Sequence, residues 1–218
     1  MEFTKIKDAL EYIGGMSSPS KMPCYAYSIP AQECKLGKLM RKIKGSVCSK
    51  CYALKGRYVF PNVIAALYRR FATLYKPFWC EAFAFVINNR KMGFFRWHDA
   101  GDIQYEDTTD FRHIRNIARV AELCPNTRFW LPSREVAIWT AYFNDGGTLP
   151  SNLNLRISGT MIEGKAPIGF AKKYNCVVSS VSENPDEINC VAPKQGGECK
   201  DCRACWNKDV FNVVYQKH

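Results

Sequence analysis

The chain has 218 residues, and its 47% hydrophobic and 13% aromatic content excludes intrinsic disorder and predicts one packed domain. Its formal net charge of +11 indicates a positive surface field that attracts phosphate-bearing or other anionic partners. Because no apolar run reaches the roughly 20 residues of a membrane helix and no signal peptide is evident, we expect a soluble, cytoplasmic protein with no membrane partner.

The first part of the chain combines a short helix with a long irregular segment. Phe3 to Ile13 carries apolar residues at helical spacing and ends at a pair of glycines, which predicts the opening helix. Residues 17–57 hold repeated prolines and glycines together with four cysteines. Proline and glycine favour turns, so we expect a metal-binding loop here that ligation keeps ordered.

Residues 35–57 form a basic loop that contains no acid. Such a positive field concentrates polyanions, so nucleic acid or a nucleotide is an expected partner of this loop. The alternative is a solvated loop whose charge partly offsets metal-bound thiolates. The basic residues are Lys35, Lys38, Arg41, Lys42, Lys44, Lys50, Lys55 and Arg57.

Helices and strands alternate through the middle of the chain, which is typical of parallel βα units. The predicted elements are helices over 61–75, 77–89, 108–123 and 136–143 and strands over 94–97, 128–131, 153–157 and 176–181. Four strands are too few for an eight-unit barrel. The predicted fold class is therefore α/β, a partial or open parallel barrel over residues 58–182, in a single domain whose last part, 183–218, carries a cysteine cluster and a helix.

Polar residues follow three of the predicted strands, in the runs His98–Asp102, Ser133–Glu135 and Ser158–Thr160. Loops at the carboxyl ends of parallel strands converge on one face, so these runs predict the active site. Arg134 suits a two-pronged contact with a carboxylate or phosphate. The alternative for Ser133–Glu135 is a helix cap with an early acid.

The run after the first of these strands has two interpretations. His98 titrates near neutral pH and Asp99 can fix its tautomer, so the pair suits proton transfer or substrate positioning. The alternative is a turn in which Asp99 and Asp102 are turn formers and Gly101 adopts a positive φ.

Eight of the eleven cysteines form two groups near opposite ends of the chain. Cysteines two residues apart aim several thiolates at one point, as zinc and iron–sulfur clusters require. Disulfides are the alternative, although nothing here resembles a secreted scaffold. The groups are Cys24, Cys34, Cys48 and Cys51, and Cys190, Cys199, Cys202 and Cys205.

The number of ligands separates the hypotheses for the two groups. Cys34, Cys48 and Cys51 form a set of three that would leave one iron of a four-iron cluster open, with Cys24 either a fourth ligand or a buried thiol. The four C-terminal thiols offer a closed site. Soft thiolates suit zinc and iron–sulfur clusters alike, so the spacing indicates metal without indicating which one.

Several runs resemble a family of bacteriophage-encoded proteins that is distantly similar to radical S-adenosylmethionine (SAM) enzymes. The runs are Lys21–Ala31, Val47–Tyr58, Arg96–Asp102 and Cys199–Trp206, so the resemblance extends over most of the chain. It implies a barrel of the radical SAM type in the host cytoplasm. It also implies reductive cleavage of SAM, with a flavodoxin or ferredoxin as reductant and an unknown substrate such as a nucleotide or nucleic acid.

The resemblance also implies roles for individual residues. It assigns an open 4Fe-4S cluster to Cys34, Cys48 and Cys51 and an auxiliary cluster to the C-terminal cysteines. The residues expected around substrate or cofactor are His98, Asp99, Asp102, Arg134 and Glu135, with Tyr52, Gly101, Ser133 and Ser158 as cofactor contacts. The alternative function is a non-enzymatic, zinc-stabilised module that binds nucleic acid or protein.

Overall fold

The structure is a computed structural model and describes residues 2–217. Its strands are β1 (Tyr25–Tyr27), β2 (Phe94–Trp97), β3 (Arg128–Ser133), β4 (Leu153–Ile162), β5 (Val177–Ser182) and β6 (Asn212–Gln216). Its α-helices are α1 (Ile6–Tyr12), α2 (Lys35–Met40), α3 (Pro61–Phe71), α4 (Trp79–Asn89), α5 (Arg112–Leu123), α6 (Val136–Asn144) and α7 (Ile168–Lys173).

The six strands form one sheet in chain order, β1 to β6, and each neighbouring pair is parallel. Sequential order means that each connection returns the chain beside the strand it has just left. The predicted α/β class is confirmed. The sheet is open, since β1 and β6 are its two edges.

The two faces of the sheet have different coverings. On one face, Phe95 and Trp97 of β2 pack against Phe83 of α4, with ring centroids 5.5 and 4.9 Å apart. On the other face, Trp130 of β3 meets Trp206 at a centroid distance of 5.3 Å. Helices therefore cover one face, and a C-terminal segment, residues 190–210, lies against the other.

Two predictions about the ends of the chain were wrong. Residues 17–57 are not only loop, because they contain β1, α2 and several 3-10 turns. The helix expected within 183–218 is absent from its described part, residues 183–217, where 3-10 turns and β6 occur instead. The three residues of β1 are too few to show an alternating pattern. In β6, the β-branched pair Val213 and Val214 favours a strand over a helix.

The strands also extend further than predicted. Pro132 and Ser133 lie inside β3, where Pro132 pairs in register with Arg156. Ser158 lies inside β4, not on a loop after it, because the strand continues past a register shift to Ile162. A bulge of this kind bends the strand and redirects its side chains, and the short apolar run at 153–157 gives no sign of it.

Candidate functional site

Three of the four N-terminal cysteines lie on a thiol loop, residues 34–51, that follows β1. Cys34 precedes α2, while Cys48 lies in a 3-10 turn and Cys51 ends it. The turn is capped by Ser46, whose Oγ accepts the Ser49 N–H at 2.9 Å. This cap orients the backbone between the two closely spaced cysteines.

The thiols of Cys34, Cys48 and Cys51 are electrostatic neighbours. Burial raises the pKa of Cys34, and the negative groups of Asp102, Cys51 and Glu135 raise it further. Burial likewise raises the pKa of Cys48, whereas Arg134 opposes that shift. Thiolates in such surroundings require a nearby positive charge, which a bound metal centre supplies.

Glu135 ties the thiol loop to the carboxyl end of β3. Its Oε1 accepts the backbone N–H of Leu36 at 2.9 Å, and its Oε2 accepts the hydroxyl of Tyr105 at 2.8 Å. Burial, followed by the charge of Asp102, raises the pKa of Glu135 from 4.5 to about 7. The carboxyl group therefore titrates near neutral pH, and it binds the backbone N–H of Leu36, which lies two residues along the chain from Cys34.

Asp102 joins the loop after β2 to the end of β3. Its carboxylate accepts hydrogen bonds from Ser133 Oγ at 2.7 Å, the Arg134 N–H at 2.8 Å and the Ile103 N–H at 2.8 Å. Burial raises its pKa, and these three hydrogen bonds oppose the shift. The site thus contains two buried carboxyl groups, one of which, Glu135, faces the thiol loop.

Arg134 directly follows β3, and Ser158 lies in the neighbouring strand β4. Arg134 donates from Nε to the carbonyl oxygen of Gly159 at 3.2 Å. The hydroxyl of Ser158 is 2.9 Å from that of Ser179 and is largely buried. Arg134 is therefore the cation that this edge of the sheet presents toward the thiol loop.

His98 is buried and faces another histidine. Its φ is +51°, and its ring centroid lies 5.2 Å from that of His113. Neither ring nitrogen of His98 has a hydrogen-bond partner among the described residues. Burial, together with His113 and Arg96, lowers the pKa of His98 well below its usual value, so the ring is neutral at pH 7.

Asp99 holds the segment that contains Tyr52 and Tyr58 against the end of β2. Its backbone carbonyl accepts the hydroxyl of Tyr52, and its Oδ2 accepts that of Tyr58 at 2.8 Å. Gly101 has the positive φ expected of it, +90°, and a Cβ there would lie 2.3 Å from Ile29. Only glycine fits at this position, which satisfies the turn interpretation of the run.

Cys24 lies apart from the thiol loop and next to the C-terminal cysteines. The Cys199 N–H donates to the carbonyl of Lys21 at 3.0 Å, which brings the C-terminal segment against the approach to β1. Burial raises the pKa of Cys24 to about 12, and Cys199 contributes to that rise. The sequence grouping of Cys24 with Cys34 thus differs from the spatial one.

All eleven cysteines are free thiols. Within residues 2–217, no three histidine, cysteine, aspartate or glutamate side chains stand close enough together to hold a metal ion without rearrangement. The donors do fit a thiolate-bound centre in kind, because each group offers at least three soft sulfur ligands.

Comparison with known proteins gives one match, to the family described as gene product 88, over residues 3–208. The chain belongs to the gene product 88 family. This family is of the phage type, which supports the expected phage resemblance, whereas the similarity to radical SAM enzymes stays a prediction. No curated protein and no solved structure matches the chain.

In this gene product 88 protein, sequence reasoning missed several residues that shape the site. Tyr105 holds Glu135 and lies in no recognisable motif, whereas Tyr58, which holds Asp99, ends the run Val47–Tyr58 but was given no role. His113 of α5 is another such residue, because its Nδ1 accepts the Gln104 N–H and its ring lies against that of His98. None of the helices in residues 2–217 has the length and apolar content needed to cross a membrane.

Proposed function

We propose that this protein is an iron–sulfur enzyme in which Cys34, Cys48 and Cys51 hold a four-iron cluster with one open coordination position. The observation that carries the proposal is the convergence of these three thiols near Glu135 and Arg134, at the carboxyl end of a parallel strand. In open α/β sheets, ligands bind at that edge.

The chain's own residues would orient a cofactor and move a proton. Arg134 can bind a carboxylate in two-pronged fashion, as the amino-acid end of SAM requires. Glu135, whose pKa of about 7 allows it to gain or lose a proton near neutral pH, lies on the same edge. Tyr52 and Tyr58 close the loop over Asp99.

Such a cluster, held by Cys34, Cys48 and Cys51, would supply one electron from a flavodoxin- or ferredoxin-type reductant for the reductive cleavage of SAM to methionine and 5'-deoxyadenosine, with the added hydrogen atom coming from the substrate. The chain's role in this step is to hold SAM through Arg134 and to limit the access of water beneath the thiol loop.

Formation of 5'-deoxyadenosine tests the proposal. We expect anaerobically purified protein, incubated with SAM and dithionite, to produce 5'-deoxyadenosine. We expect Cys48→Ser to reduce the yield at least tenfold. Cys176→Ser is the matched control, because Cys176 is a free thiol in neither group, and it should leave the yield unchanged.

Two results would overturn the proposal. One is purified protein that holds zinc without iron, which favours the structural zinc module. The other is iron-loaded protein that gives no 5'-deoxyadenosine, which leaves an electron-transfer or sensing role.

A second proposed property, binding of a polyanion such as nucleic acid, rests on the exposed cations of the basic loop. The side chains of Lys42, Lys44, Lys50, Lys55 and Arg57 are exposed, and none forms an ion pair among the described residues. Phe60, 54% exposed, adds a surface on which a base can stack. Free surface cations beside an aromatic ring are the features that single strands bind.

A further inference from the structure

The face of the sheet beneath the C-terminal segment contains a buried cation without an acidic partner. Arg156 of β4 is fully buried, and its guanidinium donates only to backbone carbonyls, among them Val178 at 2.7 Å and Val210 at 3.0 Å. Its Nε has no partner among the described residues. A buried charge that lacks a counter-charge destabilises the folded protein.

A second guanidinium on the same face is in a similar position. Arg96 of β2 stacks on Trp130 at 4.3 Å and donates to the sulfur of Met22 at 3.0 Å. Its Nε is buried and unpartnered, and it forms no ion pair within the described part of the chain. Burial lowers the pKa of Arg96 and the charges of Tyr52 and Asp99 raise it, while the Oδ2 of Asp99 accepts the hydroxyl of Tyr58.

Thiols surround these two arginines. The thiol of Cys205 is 3.1 Å from the hydroxyl of Tyr215, and the Cys205 carbonyl accepts Asn154 Nδ2 at 2.8 Å, which fixes this residue over β4. The Cys199 N–H bond to Lys21 brings Cys24 to the same place.

Electrostatic contacts link these thiols to one another and to the arginines. Besides burial, the charges of Cys190 and Cys202 raise the pKa of Cys199, and the charge of Cys190 raises the pKa of Cys205. Burial raises the pKa of each thiol, and the charge of Arg96 opposes that rise at Cys24, Cys199 and Cys205. Five thiols therefore lie in one neighbourhood, contributed by both ends of the chain.

We propose that Cys24 and the C-terminal cysteines together bind a thiophilic metal centre whose negative charge balances Arg96 and Arg156. Four thiolates on one Zn²⁺, or on an oxidised four-iron cluster, carry a net charge of about −2. Two guanidinium groups match that charge. Metal binding releases the thiol protons and gives both arginines the counter-charge that the protein side chains lack.

This site goes beyond the proposed function and does not depend on it, because it shares no ligand with Cys34, Cys48 and Cys51. Its four ligands drawn from five thiols close the coordination shell, so its role is to hold the two chain ends together. Cys24 is the decisive member, since sequence spacing places it with the other group.

The test begins with a variant in which Cys34, Cys48 and Cys51 are all serine, which removes the first site. We expect this variant to retain either about one zinc or about four irons per chain, and the absorption spectrum distinguishes the two. Adding Cys24→Ser should lower the retained metal at least fivefold. Adding Cys176→Ser, the matched control, should not change it.

The proposal is overturned if the triple variant holds no metal, or if Cys24→Ser and Cys176→Ser retain equal amounts. Should Cys24→Ser fail to fold, thiol labelling of the unmodified protein decides instead. We expect iodoacetamide to modify Cys176 before chelator is added, and Cys24, Cys199 and Cys202 only afterwards. Equal labelling of Cys24 with and without chelator contradicts the site.

Discussion

The thiol loop and the C-terminal segment both carry cysteines, yet the groups around those cysteines are opposite in charge. Near the thiol loop, Glu135 and Asp102 add buried negative charge, which Arg134 and Arg41 oppose at Cys48. Near the C-terminal segment, Arg96 and Arg156 add positive charge without an acidic partner. Acids with shifted pKa values suit proton transfer, whereas fixed buried cations suit a permanent negative centre.

The largest expected effect is on stability and distinguishes two arginines. Arg156→Met leaves several buried carbonyls without a donor, so we expect it to lower the free energy of unfolding by about 3 to 5 kcal/mol. Arg134→Met removes a single contact from the guanidinium, to Gly159, and should cost about 1 kcal/mol or less. Urea unfolding followed by circular dichroism measures both. Similar losses in the two variants would contradict the contrast drawn here.

Gly37→Ala tests whether the thiol loop needs close packing at Cys34. An added Cβ would lie 2.7 Å from the Cβ of Cys34, so we expect a loss of about 1 to 3 kcal/mol and a lower iron content. Gly169→Ala is the matched control in another short helix, because nothing lies within 4 Å of its added Cβ. If both variants keep the wild-type iron content, the position of Cys34 does not matter for the first site.

Glu135→Gln tests the acidic side of the comparison through pH. The pKa of Glu135 is raised from 4.5 to about 7, so the folded state binds this proton more tightly than the unfolded chain does. Stability is therefore lost as the pH rises from 4.5 to about 7. We expect the wild type to lose about 1 to 3 kcal/mol over this range, and Glu135→Gln to lose less.

Unfolding in urea at pH 4.5, 5.5 and 7 measures this slope. Glu81→Gln, which changes an exposed acid on α4, is the control and should retain the wild-type slope. Burial also raises the pKa of Asp102, so Asp102 contributes to the pH dependence of stability in the wild type and in both variants. Equal slopes for Glu135→Gln and the wild type would remove Glu135 as a group that titrates near neutral pH.

The smallest expected effect concerns the basic loop. If it binds single-stranded nucleic acid, replacing Lys42 and Lys44 by alanine should reduce the slope of log affinity against log salt concentration by about 1 to 2. Replacing Lys172 and Lys173, two exposed lysines of α7, provides a control of equal charge. A slope that changes equally in both double variants would assign the effect to net charge alone.

The sequence predicts the α/β class and the position of most helices, because long amphipathic patterns report packing directly. It misses β1, whose three residues form a strand only through pairing with β2. It also misses β6, because a helix was predicted in that part of the chain. Short edge strands depend on their neighbours more than on their own residues, so local patterns do not reveal them.

The candidate site was partly predictable for a similar reason. The polar runs after β2 and β3 meet in the structure, where Ser133 and the Arg134 N–H bond to Asp102, because parallel strands end at one edge. Long-range contacts were not predictable. The Leu36 bond to Glu135 and the placement of Cys24 beside Cys199 join residues about 100 or more positions apart, which spacing rules do not reach.

Electron paramagnetic resonance of anaerobically purified, dithionite-reduced protein tests the central claim most directly, that Cys34, Cys48 and Cys51 leave one iron open. We expect a reduced four-iron signal with a component that changes when SAM is added, and we expect this component to disappear in the variant with all three cysteines replaced by serine. A reduced signal in which no component responds to SAM, or a SAM-responsive component that survives those three replacements, would contradict the claim.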